Sequence, residues 1–184
     1  MSKGFTLIEM LVVIGLVGLL SVFAAGIFIS NNRFYQNQSG EIEAISGTRA
    51  IADHINEYGR LGDSIVASRT YNSTLYTTGA TTVIFRIPSV DASNAIIAST
   101  YDYGYVTRDP SNTSRLVLML ELGAGSARKA RNIQLTDKLS TVSFTYDNAT
   151  PSQAGNVTYQ IIINTGGKYP GIEDVRGGVT LRNK

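Results

Sequence analysis

The hydrophobic and polar positions divide the chain sharply. From Met10 to Ile29 there are 20 consecutive residues without a formal charge. As a helix rising 1.5 Å per residue they reach about 30 Å, the apolar thickness of a bilayer. After Asn32 the pattern continues as an amphipathic helix. Ile42, Ile45, Ala52 and Ile55, with Thr48 between them, fall on one face, and Glu41, Glu43, Arg49, Asp53 and Glu57 form the polar surround. The two halves predict one helix from about Phe5 to Tyr58, roughly 80 Å long if continuous. Gly59 and Gly62, around Leu61, supply a stop signal.

Short β-branched and aromatic runs follow. "TTVIFRI" at 81 to 87, ended by Pro88, predicts a strand. "IIASTYDYGYVTR" and "RLVLMLEL" flank the turn-rich "DPSNTS" and predict a hairpin. Further strands are predicted at 140 to 147, 156 to 164 and 177 to 183. A long helix ahead of antiparallel strands is an α+β layer arrangement.

Composition sharpens this division. Only Lys3 and Glu9 are charged before residue 32, and the formal net charge of the chain is +2. The near balance of acids and bases in the remainder gives no electrostatic case for nucleic acid as a partner. There is no cysteine, so packing alone must hold the core, and thiolate catalysis and thiolate metal sites are excluded.

The N-terminal segment admits three readings. A cleaved secretory signal has its basic start in "MSK" and small residues at "VFAAG", residues 22 to 26. The apolar stretch is long for such a core, however, and Glu9 sits where the core should be uncharged. A plain signal anchor holding an adhesin or other binding domain outside the membrane also leaves Glu9 unexplained. Insertion scales put an Asp at a helix centre at about 3 kcal/mol, less toward the helix end.

The third reading matches the carboxylate with a cation. "KGFTLIE", Lys3 to Glu9, closely resembles the processing signal of the type IV pilin and pseudopilin family, and the likeness extends in helix pattern to about Tyr58. The resemblance implies a leader of residues 1–4, cleavage between Gly4 and Phe5 by a prepilin peptidase, and methylation of the new Phe5 amine. Residues 5–30 would then be the transmembrane and assembly helix. Residues 31–184 would continue the amphipathic helix into a pilin-like β-sheet domain. An α-amine of pKa near 8 is cationic at neutral pH. In an apolar medium it attracts a carboxylate far more strongly than in water.

By the same resemblance, Glu9 is an assembly contact to a neighbouring subunit's amine. The implied partners are other pilin or pseudopilin subunits and an inner-membrane assembly platform. The implied location is the inner membrane, single-pass, with the C-terminal domain outside the cytoplasm, and then the pilus or pseudopilus. The order of the last strands, with Phe144, Tyr146, Leu181, Arg182 and Asn183, is similar to the J-type pseudopilins and W-type minor pilins. That likeness implies a minor subunit.

Other features are read structurally. Gly15, Gly18 and Gly26 allow close helix approach or are merely tolerated in an apolar helix. His54 has no triad partner and is read as a helix-surface residue. Glu173 and Asp174, in the loop read over 164 to 178, are far short of a calcium ligand series, so no metal or other cofactor is expected. Tyr101, Tyr103 and Tyr105 alternate on one side of a strand and are read as a partly buried sheet face. "SARKARN", with Arg128, Lys129 and Arg131, is read as a solvated loop. Sequons occur at Asn72, Asn112, Asn148 and Asn156. No catalytic constellation appears, and the chain reads as non-enzymatic.

Overall fold

The computed structural model describes residues 6–166 and 170–182. One helix, α1, runs from Leu7 to Leu61, about 80 Å at the standard rise. The strands follow: β1 (Ser64–Ile65), β2 (Ser68–Tyr71), β3 (Thr74–Thr77), β4 (Thr82–Val90), β5 (Ile96–Arg108), β6 (Leu116–Glu121) and β7 (Arg131–Thr136). Then come β8 (Leu139–Tyr146), a 3-10 turn at Pro151–Gln153, β9 (Asn156–Asn164) and β10 (Ile172–Thr180). They form a five-stranded sheet β1-β4-β5-β6-β7, a three-stranded sheet β10-β9-β8, and the β2-β3 hairpin. Every pairing is antiparallel. The architecture is therefore the expected α+β arrangement of a long N-terminal helix on antiparallel sheet.

The helix buries one stripe, Ala44, Thr48, Ile51, Ile55, Tyr58 and Gly59, spaced by three or four residues as a single face requires. It is turned relative to the expected stripe. Ile45 and Ala52 are half-buried, and Ile42 is 65% exposed because it projects from the opposite side of the helix. The Thr48 hydroxyl stays satisfied in the core by donating to the carbonyls of Ala44 and Ile45, each at 3.0 Å.

Helix α1 continues past the expected end. The cap is Gly62, whose N–H donates to Tyr58 O at 3.0 Å and Gly59 O at 3.2 Å. Gly59 is an interior helical residue with a packing role, since a Cβ there would lie 2.5 Å from Val179 Cγ2. Strand β10 therefore crosses directly over the helix backbone.

The core fills the space between α1 and both sheets. Val83, Phe85 and Ile87 of β4 meet Ile51, Ile55 and Tyr58 of α1 and Val142, Phe144, Val157 and Ile161 of the smaller sheet. On the other face of the larger sheet a second cluster gathers Ile84, Tyr105 and Met119 under Tyr71 and Tyr76. The alternation of β4 thus serves two apolar faces.

Several sequence expectations are corrected. Pro88 does not end β4 but lies within it, opposite Tyr101. Ile84 O and Arg86 O face β1, accepting from Val66 N and Asp63 N. Pro88 faces the same side beyond the end of β1, where no ladder needs its missing N–H. The last strand begins at Ile172 and ends at Thr180, so Glu173 and Asp174 are strand residues and not loop residues. "SARKARN" is not a solvated loop: Arg128 is tied to a buried carboxylate, and Arg131 and Asn132 open β7.

Strands β1, β2, β3 and β7 were not anticipated. The β2-β3 turn is Asn72-Ser73 with φ of 46° and 63°, the left-handed pair of a tight hairpin. All four sequon asparagines are exposed.

Candidate functional site

The strongest candidate is the start of α1. Thr6 is the N-cap, with extended φ −76° and ψ 153°, and Glu9 is the third helical residue. Glu9 Oε2 accepts from Thr6 N and from the Thr6 hydroxyl, both at 2.8 Å, while Glu9 N donates to Thr6 Oγ1 at 3.3 Å. This reciprocal capping box satisfies donors that a helix start otherwise leaves open. It also sets the carboxylate against the positive end of the helix dipole. Lys3, Gly4 and Phe5 themselves lie outside the described residues.

From Leu7 to Ser39 every residue of the helix is exposed. Its apolar stretch is long enough to cross a membrane, and none of it is buried. Leu7, Leu11, Ile14, Val22, Phe23, Ile27 and Phe28 are all more than 60% exposed. The apolar surface encircles the helix, as in a membrane span, and does not form a single stripe. A Cβ at Gly15, Gly18 or Gly26 would meet no atom within 4 Å, so these notches are open to a neighbouring helix.

The domain holds polar clusters that the sequence did not disclose. Asp102, wholly buried, accepts from Ser89 Oγ at 2.7 Å, Gly123 N at 2.8 Å, Ser126 Oγ at 2.9 Å and Arg128 Nη1 at 2.6 Å. Burial would raise its pKa, but the four donors outweigh that effect and hold it below the ordinary value. On the outer face Arg69 makes a two-pronged contact with Glu121, both bonds at 2.8 Å, and lies 3.5 Å from the Tyr103 ring centroid. Tyr105 donates to Glu121 at 2.6 Å and stacks on Tyr71 at 5.5 Å. Arg86 joins Asp63 in the same way and lies over Tyr101 at 4.4 Å.

The tyrosine row is thus a partly buried sheet face, roofed by two arginines and the hairpin. An alternating Tyr row flanked by isolated Arg residues was the available signal, but its partners lie tens of residues away.

The remaining candidates are separate from one another. His54 Nδ1 stands 3.5 Å from Glu57 Oε2 on the helix surface. Asp174 accepts from Gln160 and Arg176. Among the described residues, no group of three or more His, Cys, Asp or Glu is placed to hold a metal.

Residues 1–25 match the family model of the prokaryotic N-terminal methylation motif. No curated protein and no solved structure gives a match.

Proposed function

We propose that this chain, whose N-terminus carries the methylation motif of type IV pilins and pseudopilins, is a structural and minor subunit of a type IV pilus or secretion pseudopilus. The precursor is cut between Gly4 and Phe5, so that hydrolysis releases the leader carboxylate and frees the Phe5 amine. After losing one proton to solvent, the neutral amine takes a methyl from a sulfonium methyl donor, which leaves as a thioether, and the methylated amine is cationic at neutral pH. Residues 5–30 anchor the subunit in the inner membrane, and the domain that follows lies outside the cytoplasm until the filament forms.

The observation that carries this reading is the position of Glu9. Its carboxylate lies at the tip of a helix whose apolar span is wholly unburied, already reaching the amide of Thr6 at 2.8 Å. A charge in lipid is costly unless matched. The Phe5 amine of a neighbouring subunit supplies the match, and the low-dielectric surroundings make that contact selective for register. The processing peptidase and methyltransferase act on Lys3, Gly4 and Phe5, and Glu9 acts afterwards, in assembly. The breadth of the strand-rich region supports a minor subunit.

Mass analysis of the purified protein tests the reading. It predicts a chain beginning at Phe5 and heavier by one methyl group. A functional protein beginning at Met1 or Ser2 would identify a signal-anchored binding domain, and a start near Ala25 would identify simple secretion. Within the filament reading, Glu9→Ala is still cut after Gly4 but assembles poorly; normal filament yield would remove Glu9 from its role.

A further inference from the structure

Two exposed features at opposite ends of the folded domain complement each other, and both are left unused by the N-terminal chemistry. Three clefts meet at Leu61, the last residue of α1. They are lined by Arg60, Arg128, Lys129, Arg131 and Arg182, and by the apolar side chains of Ile87, Leu120, Val90 and Ile96. Glu57 is the one acid lining them among the described residues. Leu61 is 37% exposed and Ile96 71%.

This cationic end is built and not merely frayed. Arg128 Nη1 is held by Asp102 beneath it and by Pro88 O at 2.7 Å, so its position is set before any partner arrives. Arg60, Lys129, Arg131 and Arg182 make no ion pair among the described residues.

The complementary feature is Glu41-Ile42-Glu43, where α1 enters the domain. All three residues are exposed. Ile42 shows 65% of its surface, although the helix has an apolar stripe available on its other side. Glu43 contacts Lys138, and Glu41 makes no ion pair among the described residues. An acid-apolar-acid triplet matches a cleft with an apolar floor and a cationic rim.

The spacing fits a parallel neighbour. Ile42 and Leu61 are 19 residues apart on one continuous helix, about 28 Å along its axis. Ile42 and Arg60 are five full turns apart and share a face. Because the two halves share a face, a second copy with its helix parallel, displaced outward by that distance and turned by about 180° about the helix direction, brings its triplet against the Leu61 clefts of the first.

From this juxtaposition we infer that the basic clefts around Leu61 are a subunit docking site whose occupant is the Glu41-Ile42-Glu43 segment of a second copy of this chain. The contact is heterologous, so each copy offers one half outward and the other inward, and it joins those copies of this minor subunit that stand next to one another, without closing a ring. It rests on the filament reading, which supplies parallel helices, but it uses no residue of the processing motif.

The chain contains no cysteine, which makes disulfide trapping clean. Full-length chain carrying both Ile42→Cys and Leu61→Cys should yield a ladder of oxidised multimers in assembled material. Each single variant alone should not. Arg182→Glu or Glu41→Lys in that background should reduce the ladder about tenfold, as loss of an interfacial charge pair does, and raised salt should weaken it. Co-sedimentation of the chain with sheared filaments reports whether it assembles at all.

Co-sedimentation with filaments but no 42–61 ladder, or a ladder indifferent to Arg182→Glu, would overturn the docking site and leave the filament standing. A Leu61→Cys adduct to a different subunit would overturn the assigned occupant. Absence of the chain from the filament fraction would overturn the filament reading and this inference with it.

Discussion

Arg128 Nη1 donates to Oδ2 of the wholly buried Asp102 at 2.6 Å, joining the segment before β7 to the middle of β5. The carboxylate is fully occupied by four donors, so the cost of removing it falls on all of them. Asp102→Ala is expected to cost about 3 kcal/mol, the loss typical when one partner of a buried pair is deleted. Denaturant melts at neutral pH measure it.

The same carboxylate predicts an acid dependence. Its folded pKa lies below the ordinary 3.8 because the donors outweigh the burial that opposes them. Its contribution to stability is therefore present at pH values above 3.8 and is lost as the pH falls from there through the folded value. Urea midpoints recorded from pH 6 downward should show this fall. In Asp102→Asn the part due to this group should be missing, whereas an unchanged acid profile would contradict the network.

The β2-β3 hairpin is held by side chains and not by a shared ladder, since Arg69 grips Glu121 and covers Tyr103 while Tyr71 stacks on Tyr105. Arg69→Ala should release the hairpin while costing only about 1 to 2 kcal/mol globally. Hydrogen exchange would then show protection lost over residues 68 to 77 and kept in β4 to β6. Uniform loss of protection would mean that the hairpin and the sheet open as one unit.

Gly59→Ala sets two effects against each other. Ala is favoured over Gly inside a helix by about 1 kcal/mol, yet its Cβ would lie 2.5 Å from Val179 Cγ2 and 3.0 Å from Val179 Cβ. The nearest atoms belong to a stiff β-branched side chain on a paired strand, so the clash wins. A net loss of about 1 to 3 kcal/mol is expected. Adding Val179→Ala should recover part of it, and thermal melts of the single and double variants give the comparison.

Thr6→Val removes the hydroxyl that bonds Glu9 N and Glu9 Oε2 while keeping the side chain's shape. Loss of an N-cap side chain costs about 1 kcal/mol. The first turn of α1 should fray in detergent micelles, seen as faster amide exchange at residues 7 to 10. The folded domain beyond residue 44 should be unaffected, because among the described residues the helix from Leu7 to Ser39 is exposed throughout.

The features legible in the sequence were those governed by near neighbours. The isolation of Glu9 in an apolar run, the hairpin of β5 and β6 and the span of β9 all follow from local pattern. Their physics acts within a few residues of chain. Helix capping, strand alternation and the cost of a charge in lipid need no knowledge of the distant fold.

Tertiary structure decided what depends on contacts across the chain. Which line of the helix is buried was settled by β9 and β10, more than a hundred residues later, and they took Ala44 and Ile51 while leaving Ile42 in solvent. Pro88 stays within a strand because β1 ends two residues short of it. Arg128 became a buried-pair partner because β5 places Asp102 beneath its loop, and Gly59 is required because Val179 crosses there. A one-dimensional pattern ranks each residue by its own polarity and its neighbours in sequence, whereas burial and pairing are set by whichever distant surface arrives at that point in space.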